Sequence, residues 1–436
     1  MFHRSTTKVA LAIGLGATLL LSGCGAGSRS ADQTAPEVPC EFEAPDSPTT
    51  VNVLAYNSSA IDPFTNALVA NCSKGDVSVV HEPVDFAGQV QRTTTTLAGD
   101  SGTYDIIETY GIIIPENAAS ERLIPLDDLV QQHGDLYGLG ELNDQMLEAM
   151  SYEGQLYALP MQAQVFIMAF RTDIFEELGL EPPETFDDLR EAADTIQQEG
   201  DMAYPLALAL HTSSDLLTAY DSALGSLGVD LVDHEAGKPN FDRPEAIEAF
   251  EELLALRPYM DPQVTTFDQP AVQQQMYNGS AAISIMFSGR MNDLVQESNT
   301  QYYDDIGFAA PPVVGDGEYQ YSALSVDGWS IPANTDVDDE LLFHMIASSV
   351  SEEASEAALP DAYPAREGMV TPDNSPYGDA ANSAIDSAPP VEPYPYIPRV
   401  GNAILPIIAE VFSGDLEPEE GVEKMQDAAQ DVLDAG

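Results

Sequence analysis

The chain has 436 residues, which is enough for two or three domains of ordinary size. Its 15 Lys and Arg residues stand against 73 Asp and Glu residues, so the formal net charge is -58. A field this negative repels phosphate backbones and anionic lipids, which excludes nucleic-acid binding through a basic surface. Hydrophobic residues make up 44% of the chain and are sufficient to build buried cores.

The N-terminus has the pattern of a secretory signal. Arg4 and Lys8 precede the apolar run from Val9 to Leu21, which is too short to span a bilayer comfortably. The tetrad LSGC, ending at Cys24, follows it and resembles a bacterial lipobox. This resemblance implies that residues 1–23 are a signal peptide and that Cys24 carries a lipid. A plain signal peptide with an incidental cysteine is the alternative.

The segment after the signal is predicted to be a flexible tether over residues 24–45. The stretch from Gly25 to Pro39 is small, polar and proline-containing, so it buries too little apolar area to offset its ordering entropy. Two further cysteines, Cys40 and Cys72, lie in a chain that is exported to a compartment where thiols can oxidise. We predict that they form a disulfide, and free buried thiols are the alternative.

Strand-like and helix-like stretches alternate after the tether. The expected order is strand 50–56, helix 61–71, strand 77–82, helix 86–97 and strand 104–109. This β-α-β-α-β order is typical of a parallel, doubly wound sheet.

The middle and the end of the chain are more helical. Thr185 and Asp188 form a capping-box pattern that opens a helix over 186–198, and Pro244 opens another over 244–256. Strand-like runs return at 281–287, 306–309 and 330–331, before two final helices at 403–412 and 417–433. Pro406 is expected to kink or interrupt the first of these two helices.

Five motifs in this order resemble a known family. They are YALPMQAQVFIMAFRTDIFEELGLEPPETFDDL (157–189), MYNGSAAISIMFSGRMNDL (276–294), SALSVDGWSIPANT (322–335), YPAREG (363–368) and FSGDLEPEEGVEKMQDAAQDVL (412–433). Together they are similar to the extracellular solute-binding proteins of ABC importers that include maltose- and polyol-binding proteins. Arg290 and Met291 replace the Pro-Trp pair that is frequent in the second motif, so the aromatic floor for a sugar is thinner here.

The resemblance implies an α/β fold of the type II periplasmic-binding-protein kind. Two lobes, each a sheet flanked by helices, would exchange chain at hinge crossovers near 162–164, 322–328 and 357–369. The expected first lobe comprises 46–161 and 327–362, and the expected second lobe comprises 162–326 and 363–436. A ligand would be held between the lobes, and closure would bury it.

The same resemblance gives candidate ligand-binding residues. Strand ends in an open α/β sheet point into the crevice, so the residues after the first and third strands are contact candidates. A polar solute also requires aromatic faces and planar hydrogen-bonding groups near the crossovers. The alternatives are ordinary turn chemistry, solvated acids, surface ion pairs and a core tryptophan. The candidates are Tyr56, Asn57, Ser58, Glu108, Tyr110, Gln162, Gln164, Ser288, Arg290, Asp327, Trp329, Arg366, Tyr394 and Tyr396.

No motif supports catalysis or a cofactor. The histidines have no H-E-x-x-H or comparable metal spacing, and no nucleophile elbow, P-loop or properly placed G-x-G-x-x-G is present. We therefore expect no enzyme, no metal and no cofactor. The expected function is a lipid-anchored, monomeric binding component of an ABC importer on the outer face of the bacterial cytoplasmic membrane. It would deliver a neutral sugar, oligosaccharide or polyol to the transmembrane permease subunits. The alternatives are a secreted lipoprotein glycan hydrolase and a relative that binds a metal or another solute.

Overall fold

The computed structural model describes residues 35–200, 202–212 and 214–435. The signal and Cys24 lie outside these residues. The strands are β1 (Thr49–Leu54), β2 (Val77–His81), β3 (Ile106–Tyr110), β4 (Ser151–Tyr152), β5 (Gln155–Leu156), β6 (Ala158–Gln164), β7 (Phe166–Arg171), β8 (Leu206–Leu208), β9 (Val232–Asp233), β10 (Lys238–Pro239), β11 (Ile283–Phe287), β12 (Ile306–Ala309), β13 (Ser325–Ser330) and β14 (Tyr363–Pro364).

The helices alternate with these strands. They are α1 (Asp62–Cys72), α2 (Phe86–Ala98), α3 (Ile114–Ala119), α4 (Asp127–His133), α5 (Asp144–Ala149), α6 (Thr172–Leu178), α7 (Phe186–Glu199), α8 (Asp215–Ser226), α9 (Pro244–Ala255), α10 (Gln269–Asn278), α11 (Met291–Leu294), α12 (Asp339–Ser349), α13 (Glu352–Ala358), α14 (Gly378–Asp386), α15 (Ile397–Ser413) and α16 (Pro418–Ala435). Among the described residues, no helix is both long and apolar enough to cross a membrane.

The first lobe is built on a six-stranded sheet in the order β14-β6-β13-β3-β1-β2. Strand β1 runs parallel to β2 and β3, as the sequence predicts. Strand β13 runs antiparallel to both β3 and β6, so segments far apart in the chain complete the sheet. One large cluster of apolar side chains forms the core of this lobe, where β1 and β3 contribute fully buried residues.

The second lobe is built on a four-stranded sheet in the order β12-β7-β11-β8. Strand β11 pairs antiparallel with β7 and parallel with β8. Both faces of this sheet are covered, because one apolar cluster includes α7, α9, α15 and α16 and another includes α10 and α14. Two independent cores confirm the expected α/β fold with two lobes.

The chain passes between the lobes within one residue at its first crossing. Strand β6 ends at Gln164 in the first sheet, and β7 begins at Phe166 in the second. The residue between them, Val165, exchanges backbone contacts with Ser288: its N–H donates to Ser288 Oγ over 3.3 Å and its C=O accepts from Ser288 N–H over 2.8 Å. The amides of Gln162 and Gln164 therefore belong to the first lobe, whereas the sequence boundary assigns residues 162–164 to the second.

Strand pairing also locates the other two crossings between the lobes. The second lies between β12 and β13, so residues 325 and 326 already pair with the first sheet. The third lies after β14, which pairs with β6 at Tyr363↔Ala163. The first sheet thus extends to residue 364, past the expected boundary at residue 362, because two more residues add an edge strand to β6.

The described end of the tether, residues 35–45, carries no helix or strand but packs on the first lobe. Val38 is buried against Ala67 and Ala354. The side chain of Asn71 accepts from Val38 N–H over 3.2 Å and donates to Pro36 C=O over 2.9 Å. Cys40 and Cys72 form a disulfide at the end of α1. Residues 36–40 of the predicted tether are therefore packed on the first lobe, because Val38 and Cys40 have partners there, so the prediction of a flexible segment is wrong for this part.

Local signals place most helices correctly. Thr185 and Asp188 make the reciprocal hydrogen bonds of a capping box at the start of α7. Pro244 is the first residue of α9. Helix α15 begins six residues earlier than the expected residue 403 and continues through Pro406 without a break. Its apolar face is buried in the second lobe, and this packing outweighs the hydrogen bond that a proline removes.

Candidate functional site

Three polar side chains converge where the two lobes meet. Asp327 lies directly opposite Tyr110 on one neighbouring strand and Gln162 on the other. Gln162 Nε2 donates to Asp327 Oδ2 over 3.0 Å, and Gln164 Nε2 donates to the same oxygen over 2.6 Å. Gln164 Nε2 also donates to Tyr56 Oη over 3.2 Å. The amides of the expected hinge strand thus hold a carboxylate at the edge of the first lobe.

A second carboxylate, that of Glu108, lies beside the first and is fully buried. Among the described residues, neither of its oxygens has a hydrogen-bond partner, and Gln162 Oε1 has none either. Burial raises the pKa of Glu108 well above its ordinary value, and the nearby charge of Asp327 raises it further. Burial also raises the pKa of Asp327 to about 6, although hydrogen bonds from the two glutamine amides oppose the rise. The ends of β3 and β6 that face the second lobe therefore present several hydrogen-bond acceptors that no described residue satisfies.

An aromatic row stands beside these acids. The ring of Phe86 lies 5.3 Å from the ring of Tyr56 in an edge-on arrangement and 5.9 Å from that of Tyr110. Phe86 is 43% exposed, so its ring still presents apolar surface. Sequence reasoning did not select Phe86. Its position at the first turn of α2, directly after the Asp85 cap and the end of β2, is the signal that could have found it.

The second lobe contributes a cation to the same region. Arg290 follows β11 and its Nη1 donates to Gln273 Oε1 over 3.3 Å. Its charge acts across the lobes, because it opposes the rise in the pKa of Tyr56 that burial, Asp327 and Glu108 cause. In its own lobe Arg290 likewise opposes the burial that raises the pKa of Asp215 to about 6. Arg290 is thus a half-buried cation facing acids and a tyrosine.

Direct contacts join the two lobes next to Arg290. Ser59 Oγ donates to Gly289 C=O over 3.4 Å, and Asn292 Nδ2 donates to Asp361 Oδ1 over 2.6 Å. A Cβ atom on Gly289 would stand 3.0 Å from Ala60 Cβ. The lobes therefore approach each other closely at this turn, and a side chain at residue 289 would require Ala60 to shift.

Asn57 and Ser58, in the turn that follows β1, form hydrogen bonds that stabilise the turn itself. Asn57 Nδ2 and Ser58 N–H both donate to Asp62 Oδ1 over 3.3 Å, and Ser58 Oγ accepts from Ala60 N–H. These bonds correspond to the turn-chemistry alternative. The half-buried Tyr56 is the member of this triplet whose side chain reaches the acids.

Two sequence candidates lie inside the first lobe instead of at an open surface. Trp329 has no exposed surface and packs in the core, directly opposite Glu108 in the strand register. Its ring is covered to the same extent as the carboxylate of Glu108 opposite it. Arg366 is also buried and donates to the backbone carbonyls of Tyr137, Gly138 and Val350. It anchors loops of the first lobe, which is why it is unavailable to a ligand.

Tyr394 and Tyr396 pack on the second lobe. The Tyr394 ring stacks on His234 with centroids 3.5 Å apart, and Tyr396 Oη lies 2.6 Å from His234 Nδ1. His234 Nε2 also lies 2.8 Å from Glu392 Oε2, whose pKa burial raises to about 8. The proline-rich loop thus uses both tyrosines for local packing on the second lobe. Ser288, the remaining candidate, is buried at the hinge as described above.

Three comparisons with known proteins agree with this architecture. The sequence pattern of the family described as bacterial extracellular solute-binding protein matches residues 57–343. Among curated relatives, a maltotriose-binding protein of Pyrococcus abyssi is 29% identical over 173 residues, covering 39% of this chain and 34% of that protein. A mannitol-binding protein of Pseudomonas aeruginosa is 25% identical over 229 residues, covering 51% of each chain.

A third relative has a different description. A probable amino-acid ABC transporter periplasmic-binding protein of Sinorhizobium fredii is 21% identical over 306 residues, covering 65% of this chain and 64% of that protein. The matched segments therefore span about one third to two thirds of these relatives' own lengths.

Solved structures share the fold. Maltose-bound MalE3 of T. maritima has a TM-score of 0.79 at 18% identity, covering 89% of this chain and 100% of that one. A solute-binding protein of Agrobacterium radiobacter in complex with ribitol has a TM-score of 0.78, with the same identity and coverage. The named relatives and structures are binding proteins, not enzymes.

Proposed function

The chain belongs to the bacterial extracellular solute-binding protein family, and we propose that it captures a neutral, hydroxyl-rich solute for an ABC importer. The observation that carries this proposal is the group of unpaired acceptors on Glu108 and Gln162, next to the aromatic row of Tyr56, Phe86 and Tyr110. Sugars and polyols combine hydroxyl donors with C–H faces, which are the two surfaces this arrangement complements.

The charge of the site favours a neutral solute over an anion. Glu108 and Asp327 are both buried, and the facing cation Arg290 belongs to the other lobe. An acidic sugar would meet these carboxylates and a chain with a formal net charge of -58. Hydroxyl groups can instead donate to the carboxylates and to Gln162 Oε1, which removes the cost of leaving those acceptors unpaired.

Capture proceeds by closure of the two lobes around the solute. Val165 is the short first crossing, and the contacts of Gly289 and Asn292 bring the second lobe onto the first. Closure then adds Arg290 to the acids and rings of the first lobe, so the full set of contacts exists only when the lobes meet. The closed protein would deliver its solute to the permease subunits.

The anchor is part of the proposal. Cys24 would carry the lipid on the outer face of the cytoplasmic membrane, and residues 24–35 would link it to the packed segment that begins near Pro36. Labelled palmitate fed to producing cells should be incorporated into the protein and not into a Cys24→Ser variant. Incorporation that survives this substitution would contradict the anchor.

Calorimetric titration of the purified protein tests the solute class. Maltose, maltotriose, mannitol and ribitol represent the neutral class, with galacturonate, glutamate and spermidine as charged comparisons. A Glu108→Gln variant should bind the recognised solute at least about tenfold more weakly, because the amide replaces one of the two acceptor oxygens with an N–H donor. The exposed Glu353→Gln is the matched control.

The outcomes separate the alternatives. Saturable binding of a neutral solute, recovered intact by mass spectrometry, supports the proposal. Cleaved solute would instead indicate a hydrolase. Preference for spermidine would show that the buried acids recognise a cation, and preference for galacturonate or glutamate would contradict the charge argument.

A further inference from the structure

Three potential metal ligands meet on two helices of the first lobe, outside the cleft. His133 is the last residue of α4, and Glu340 and His344 are four residues apart on α12. One ligand atom from each lies within 4.8 Å of the others. His133 Nε2 is 3.2 Å from Glu340 Oε1, and His344 Nε2 is 3.9 Å from the same oxygen.

A second observation shows that this group is more than an ordinary ion pair. His133 Nε2 is buried and, among the described residues, has no hydrogen-bond partner, even though the Glu340 carboxylate is so close. The carboxylate therefore does not satisfy the nitrogen through a well-directed hydrogen bond. A cation placed between the nitrogen and the oxygen would satisfy both.

The third ligand is held in a fixed orientation. Tyr137 Oη lies 2.8 Å from His344 Nδ1, so the Nε2 atom is the one left facing His133 and Glu340. Tyr137 Oη also accepts from Glu41 N–H over 3.2 Å, which fixes the phenol in turn. A hydrogen bond to the second ring nitrogen is the usual way in which proteins orient a histidine that binds a metal.

We propose that His133, Glu340 and His344 form a binding site for Zn²⁺ that joins α4 to α12. Zinc binds imidazole nitrogen and carboxylate oxygen at about 2.0–2.2 Å, and two ligands in a tetrahedral site are then about 3.3 Å apart. The 3.2 Å separation already fits, whereas the 3.9 Å separation and the spacing of the two histidines, which is within 4.8 Å, require the side chains to move closer together. Because Glu340 is exposed, water can complete the coordination.

The choice of zinc follows from the ligands. Two imidazoles and one carboxylate suit a borderline metal, whereas Ca²⁺ and Mg²⁺ prefer oxygen ligands. The site lies next to the segment around Glu41, which contacts Tyr137. A bound ion would therefore link this segment to α4 and α12. The sequence shows no metal-binding spacing because His133 is far from α12 in the chain.

Zinc titration of the protein tests the site directly. The protein, without a histidine tag and stripped with EDTA, is titrated with ZnCl₂ in excess CaCl₂, which occupies adventitious carboxylate sites. One equivalent of Zn²⁺ should bind and raise the melting temperature. Glu340→Gln and His133→Asn should each abolish this equivalent, while the controls Glu353→Gln and His81→Asn retain it.

A milder variant keeps the test decisive if a ligand substitution disturbs folding. Tyr137→Phe keeps all three ligands and removes the phenol oxygen that orients His344 and accepts from Glu41 N–H, and it should weaken Zn²⁺ binding by at least about tenfold. Far-UV circular dichroism verifies that each variant is folded. Failure of Zn²⁺ to bind in excess Ca²⁺, or binding unchanged in Glu340→Gln and Tyr137→Phe, would overturn the proposal. Solute binding in the cleft is a separate readout and should persist in these variants.

Discussion

Replacing Asp327 with Asn should stabilise the protein above pH 6 and weaken its capture of solute. Asp327 is 3% exposed, and its carboxylate accepts from two glutamine amides but forms no ion pair with any cation of the described residues. Asparagine keeps an oxygen for these donors, and its new N–H group can donate to the unpaired Gln162 Oε1. The substitution therefore removes a buried charge without creating an obvious new orphan.

The magnitude follows from the pKa of Asp327. Burial raises this pKa from an ordinary value of 3.8 to about 6. The folded state therefore holds its proton to a higher pH than the unfolded state, and stability falls as the pH rises from about 4 through about 6. The difference between the two pKa values corresponds to about 3 kcal/mol, all of which destabilises the fold above this window.

Urea denaturation at several pH values checks this reasoning. At pH 8 the Asp327→Asn variant should be more stable than the parent by up to about 3 kcal/mol, and at pH 3.5 the two should be nearly equal. Asp427→Asn, an exposed change on α16, should leave stability within about 0.5 kcal/mol at both values. A variant as stable as the parent at pH 8, or less stable, would refute the claim that Asp327 is a costly buried charge.

Three further predictions concern the disulfide, the contact between the lobes and the aromatic row. Replacing Cys40 and Cys72 with Ala should lower the free energy of unfolding by about 4 kcal/mol, because the disulfide closes a loop with a sequence separation of 32. An unchanged midpoint of chemical denaturation would contradict this prediction. Gly289→Val should hold the lobes apart through its clash with Ala60 and so weaken solute binding without lowering stability. Small-angle scattering should show a larger radius of gyration, and an unchanged radius would count against the contact. Phe86→Ala should weaken binding of a neutral solute by about tenfold, because it removes an exposed stacking ring. Calorimetric titration measures this affinity, and an affinity equal to that of the parent would show that Phe86 does not contact the solute.

Elements defined by local patterns could be predicted from the sequence. The β-α-β-α-β order of the first lobe follows from short apolar runs that alternate with amphipathic ones, and the structure places β1, β2 and β3 within two residues of the expected positions. The capping box at Thr185 and the initial Pro244 act within a single helical turn, so they set the starts of α7 and α9 directly. These signals need no knowledge of distant partners.

The cleft was harder to predict because it depends on strand register. Asp327 and Trp329 are two residues apart on β13, and a bulge between Asp327 and Gly328 changes how this strand meets β6. Asp327 lies near the end of β6 and accepts from its glutamine amides, while Trp329 lies two residues further into the sheet and is covered. A sequence motif shows that both residues lie near a crossover but not which of them faces the cleft.

Long-range partners explain the remaining differences. Arg366 was expected in the cleft because of its motif, but three backbone carbonyls from two separate segments hold it inside the first lobe. Phe86 was overlooked because the Asp85 cap marks its position at the start of α2 but does not reveal its aromatic partners. Its role becomes visible only when Tyr56 and Tyr110 are brought to either side of it by neighbouring strands.

The buried carboxyl groups of Asp327 and Glu108 lower the stability of the fold, and the proposed solute binding would account for their presence. Glu108 has no hydrogen-bond partner among the described residues, and burial raises its pKa beside Asp327, so the empty arrangement is electrostatically unfavourable. The separate apolar cores of the two lobes can offset this local cost. A solute whose hydroxyl groups donate to the carboxylates would relieve it, and the relief would appear as binding free energy. On the proposed function, the same feature that makes Asp327 destabilising would make the closed lobes selective for a hydrogen-bond donor.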